Sequence, residues 1–264
     1  MRLTRNCRQI GQMTILGSDQ TMKWQLTLTS ILYVALVASM PRLMSAQEMP
    51  ADDVSEAADQ MHENLDRITT IKAYVVIGDL EGVRQAAEWM VDLERMAKLP
   101  ATYEPFIAFM RSSARQIVNA KDLSSAAFSV SLMAQNCGNC HVASKLTLEF
   151  GYDQVPAEWS DDETHMQRHQ WAIDRLWEGL IGPSDSAWSR GTAMLAENPL
   201  HATDIMDDTS AADAAALDDM ARRVHVLGAE GSAARALNVR SQIYGEILSL
   251  CAECHTRSGR GPGQ

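Results

Sequence analysis

Two five-residue runs constrain this chain more than anything else in it: Cys137-Gly138-Asn139-Cys140-His141 and Cys251-Ala252-Glu253-Cys254-His255. On a helix, residues three apart share a face, so each pair of thiols can point the same way. Two thiols so placed can each bond to one of the two vinyl groups of a porphyrin. The histidine that follows then brings its imidazole under the ring as an iron ligand. C-x-x-C-H is the attachment signature of c-type haem. The pattern therefore predicts two covalent haems, held by Cys137 and Cys140 in one place and Cys251 and Cys254 in the other. His141 and His255 are the expected fifth ligands. A four-sulfur zinc site would leave both histidines accidental. A thioredoxin-like dithiol would need a βαβ setting that the chain does not offer.

The amino-terminal segment reads as an export signal. Leu26 to Met40 carries no charge, Lys23 precedes it, and Met44-Ser45-Ala46 supplies a small-residue cleavage site. Residues 1–46 are expected to be a signal peptide, with Met22 as an alternative start and an uncleaved anchor as the competing reading. The stretch is too short for a spanning helix of about 20 residues. The fifth cysteine of the chain, Cys7, leaves with this segment. A periplasmic location follows, which suits haem c because it is attached after export.

Composition narrows the function. Hydrophobic residues at 46% supply a core and argue against disorder. The net charge of -11 is the wrong sign for a nucleic-acid binder. It suits docking to a basic patch on a redox partner instead.

Turn signals separate helix-length apolar stripes, and no segment alternates like a strand. Helices are expected from Val54 to Ile77, from Asp79 to about Lys98, from about Tyr103 to Asn119, and from Asp122 through the first motif. The order repeats from about Asp161 to Ile181, Ser184 to Glu197, Ala211 to Leu227, and Ser232 to His255. The expected fold is all-α: two tandem antiparallel four-helix bundles, residues 47–150 and 157–264, each closing with a haem-c attachment motif. The cap-to-cysteine segment is expected to be one helical turn longer in the second half than in the first.

Such a bundle, with C-x-x-C-H near the end of its last helix, resembles the cytochrome c-prime family and its low-spin, Met-ligated relatives. The resemblance covers each half separately and implies a tandem di-haem protein. In those relatives a methionine near the start of helix one ligates iron, which points to Met61. Members place a basic residue soon after the motif, and Lys145 and Arg257 answer loosely to it.

The remaining residues leave the sixth ligand open. Met61 lies on the stripe of the first helix, with His62 on its flank. The second half offers Met166, His165 and His169, and counting back from Gly182 favours His165 or Met166. Trp171, Trp177 and Trp188 read as core packing or as walls of a haem pocket. His201 and His225 read as ordinary loop and helix residues, and Arg222-Arg223 as a solvated pair or propionate contact. The expected function is single-electron transfer through two haems, with no enzyme activity and no substrate beyond electrons. The alternative is binding or sensing of NO or CO at a five-coordinate iron. A di-haem peroxidase has no nameable acid–base pair here.

Overall fold

The computed structural model describes residues 51–92, 101–148, 150, 154–156, 162–197 and 211–259. The proposed signal segment and His201 lie outside the described residues. The described residues are helical, without strands. In chain order the α-helices are α1 (Ala51–Ile77), α2 (Leu80–Val91), α3 (Glu104–Val118), α4 (Leu123–Ala143), α5 (Asp162–Ile181), α6 (Asp185–Leu195), α7 (Ala211–Gly231) and α8 (Leu237–Ser258); a short 3-10 turn, Ala101–Tyr103, leads into α3. No described helix is long and apolar enough to cross a membrane.

Several helix ends fall where local chemistry dictates. Asp79 accepts from the Gly82 amide at 2.9 Å and starts α2. Asp122 accepts from the Ser125 amide at 2.7 Å, and Ser125 Oγ returns to the Asp122 backbone, a reciprocal capping box. Ser184 caps α6 through the Ala187 amide. The last helix starts later than the sequence suggests. α7 runs on to Gly231, and Ser232 to Ala236 form a turn before α8. Trp188 Nε1 donates to Gly231 O at 2.8 Å, and buried Arg240 donates to Ala234 O at 3.2 Å. With the cap at Ala236, the run to Cys251 spans the same 15 residues as Asp122 to Cys137. The expected extra turn is absent, and the two motif helices are equivalent.

These two helices pack on each other, antiparallel. Ser131 Oγ lies 3.3 Å from Ser241 Oγ, and Gly245 approaches Phe128 and Ser131. At one end Gly138 meets Leu237; at the other Leu123 and Ser124 line a groove with Ser249 and Glu253. One apolar core runs through both halves, from Ile71, Ile117 and Met133 to Trp188, Leu195 and Ile247. Residues 50–264 form one compact unit. The two motifs therefore sit at opposite ends of the α4–α8 pair, about 20 Å apart along the helix axis at 1.5 Å per residue, not face to face.

Each motif helix also rests on the end of the other half's first helix. A Cβ at Gly138 would stand 2.1 Å from Leu180 O, at the end of α5. At the other end, Gly78 after α1 has φ +79°, and a Cβ there would stand 2.3 Å from Thr256 Oγ1. Backbone cannot retreat as a side-chain tip can. Gly138→Val should cost about 3 kcal/mol or more through overpacking, read as a lower urea midpoint with an unchanged denaturant slope. A neutral result would disprove this packing.

Candidate functional site

The four thiols of the motifs are free. Cys251 is buried, and the Cys137, Cys140 and Cys254 side chains are partly buried. Burial pushes the Cys137 and Cys251 thiols up to about 12, and Cys140 and Cys254 are raised for the same reason. Burial thus favours the neutral thiol over the thiolate at all four positions.

The motif histidines are held in one way at both ends. His141 Nδ1 lies 2.5 Å from Ile181 O, and His255 Nδ1 lies 2.7 Å from Val76 O. A carbonyl only accepts, so Nδ1 carries the proton and donates. That fixes the tautomer and leaves Nε2 with its lone pair free, the arrangement that orients an imidazole for ligating a metal. Both carbonyls belong to the last turn of a helix in the opposite half, where they lack an intrahelical donor. The residues present therefore fit haem c: paired thiols on one helix face, followed by an oriented imidazole.

The ends of α1 and α8 touch at Gly78 and Thr256, and the start of α4 shares that end of α8. α1 and α4 hence run antiparallel, and Met61, 16 residues before Ile77, comes level with the first motif. Met61 is partly buried against the core, whereas His62 is exposed. The second half repeats the arrangement. Arg240 donates to Gly179 O and Tyr244 to Ile173 O, so α5 and α8 are antiparallel and His165 and His169 come level with the second motif. Met166 is 38% exposed and turned away from His165 on the same helix. One residue along is about 100° around the helix. Leu217 and Met220 of α7 instead pack with Leu250 and Cys254, lining the second thiol pair.

Sequence reasoning missed His225. It leaves α7 to meet His165 and His169, and one nitrogen from each of the three rings lies within 4.8 Å of the others. Ring centroids are 4.4 Å apart for His165 and His169, 5.1 Å for His169 and His225, and 5.5 Å for His165 and His225. The i, i+4 pair on α5 was the available signal; nothing local marked a partner 56 residues further on. Beside the cluster, Arg168 pairs with both carboxylate oxygens of Glu197 and donates to Pro156 O at 2.8 Å.

Burial lowers the pKa of all three histidines. His165 falls to about 4, with the neighbouring His225 adding to the effect, and His169 falls well below its ordinary 6.5. Because each folded value is below the unfolded one, the unfolded chain takes up protons first. This contribution is complete above pH 6.5 and declines as pH falls from 6.5 toward 4. Urea midpoints measured with chelator present should drop across that window. Midpoints independent of pH there would show the rings are solvated.

Trp188 is fully buried, and Trp177 packs on Tyr244 at a centroid distance of 5.9 Å, so both serve the core. Arg222 pairs with Asp219, and Arg223 with Glu246 and Glu230, as solvated ion pairs.

The chain matches no protein-family model, no curated protein and no solved structure. The chemical reading rests on the residues themselves.

Proposed function

We propose that this protein is a di-haem c-type cytochrome of the periplasm that transfers single electrons, built as two tandem four-helix bundles sharing one core. The observation that carries the reading is the pair of motif histidines. Both donate Nδ1–H to a helix-end carbonyl and keep Nε2 free behind a C-x-x-C pair. Bound haem would supply Fe(III)/Fe(II) cycling, one electron per site. Cys137, Cys140, Cys251 and Cys254 would hold the porphyrin through thioether bonds, and His141 and His255 would hold the irons. Mass spectrometry and haem quantitation of exported protein test the reading. Bare polypeptide, or zinc in place of haem, overturns it.

Met61 is the proposed sixth ligand of the first iron. Met61→Ala should convert one of the two haems to high spin and abolish the weak long-wavelength absorption of Met–iron. An unchanged oxidised spectrum removes Met61 from the role. The acidic surface steers a basic redox partner, so raising ionic strength should slow reduction by it.

A second reading concerns the second iron, where Met166 is 38% exposed. An iron held by His255 alone on one side would leave the other open to a diatomic such as CO or NO. Reduced protein should bind CO at one haem of the two; no CO uptake would exclude an open site.

A further inference from the structure

The three-histidine cluster is a different kind of feature from the two thiol pairs. We propose that His165, His169 and His225 hold a borderline divalent metal ion, of the zinc or copper(II) class, at a site of its own beside the second motif.

Four observations carry this. The ligand set is three neutral imidazoles, which suit zinc and copper over the oxygen-seeking cations. The ligating nitrogens already converge to within 4.8 Å of one another, so modest ring rotation brings them to about 2.0–2.1 Å from a central ion. His169 Nε2 is a buried atom with no hydrogen-bond partner, and neither nitrogen of His225 makes a well-formed hydrogen bond. The backbone of Leu195 and Glu197 makes only weak hydrogen bonds to His225. Buried polar atoms are ordinarily satisfied, and orphaned lone pairs facing one another are what a missing cation would satisfy. Finally, the cluster bridges two helices that both pack on α6 and α8: His165 and His169 lie one turn apart on α5, and His225 on α7. Glu197 and Arg168, paired beside it, tie the end of α6 to α5 and supply both signs of charge nearby.

Three imidazoles bring no charge, and Glu197 and Arg168, paired with each other, lie beside them. Three protein ligands leave a fourth position for water or a small molecule.

The test uses exported, haem-loaded protein, stripped with chelator and then dialysed against zinc alone or copper(II) alone, with haem and metal counted independently. The expected result is one added ion per chain, a zinc-dependent rise in melting temperature that magnesium does not reproduce, and loss of both in His225→Ala at unchanged haem content. In the copper arm, nitrogen hyperfine structure in the electron paramagnetic resonance spectrum should indicate imidazole ligands. Zinc uptake alone, or copper uptake alone, assigns the metal within the class. Should His225→Ala misfold by circular dichroism, His225→Gln serves as the second variant. The proposal is overturned if the intact protein takes up neither ion at micromolar concentration, or if the folded variant binds as tightly as the parent. A low-spin bis-histidine second haem that is lost in His169→Ala would also overturn it, by placing that imidazole on iron. Absence of haem would fall on the proposed cytochrome function and leave the metal count to be read on its own.

Discussion

Replacing Cys251 and Cys254 together by alanine should lower covalent haem from two per chain to one, with the remaining haem spectroscopically intact. The thiols of the second motif lie on α8 and those of the first on α4, at opposite ends of an antiparallel pair, so neither set can serve for the other. The equivalent change at Cys137 and Cys140 should remove the other haem. Comparing the two proteins then separates the spectra: the one keeping Cys137 and Cys140 should show the Met61-dependent low-spin signal, and the one keeping Cys251 and Cys254 the CO-reactive signal. Pyridine haemochrome assays against protein concentration read the count. Two haems persisting after either double replacement would refute the attachment scheme. The same experiment tests packing, because Cys251 belongs to the common core and the loss of its thioether and porphyrin would leave part of that core wet.

The second large effect is expected far from any cysteine. Lys72 on α1 is only 4% exposed, yet its ammonium lies 2.6 Å from Asp174 Oδ1 on α5 and 5.5 Å from the centre of the Trp177 ring. This ion pair joins the two halves. Truncating Asp174 to alanine strands a positive charge in the core. Removing one partner of a fully buried pair costs ~3–5 kcal/mol; Asp174 is 39% exposed, which screens the pair and reduces the expectation to about 2–3 kcal/mol. The melting temperature should fall by roughly 5–10 °C. Lys72→Met should be far milder, and combining it with Asp174→Ala should recover most of the loss, because no charge is then left behind. If Asp174→Ala and the double variant are equally unstable, the cost lies in packing rather than in the abandoned ammonium.

Much of the helix order was legible because it is written locally. Asp79, Asp122 and Ser184 cap where a short acceptor precedes an apolar stripe, and Gly78 and Gly182 break the helices after Ile77 and Ile181. The start of α8 was misread for an equally physical reason. Ser232 is a good capping residue in isolation, but Trp188, distant in sequence, takes the Gly231 carbonyl, and Arg240 of α8 takes that of Ala234. Long-range bonds leave no local trace. The thiol pairs and their histidines were legible from spacing alone. The Nδ1 partners were not, since Ile181 and Val76 offer backbone oxygen that any residue would supply. His225 shows the same limit: only tertiary packing brings it to His165 and His169.

Each motif imidazole leans on a carbonyl that the opposite half provides, and this makes the halves mutually dependent. A gene cut between them would give two fragments, each with its thiols intact and its ligating ring unsupported. Mixing the fragments should restore both anchors at once, or neither. A substitution that frays the end of α1 should therefore register first at His255, in the other half.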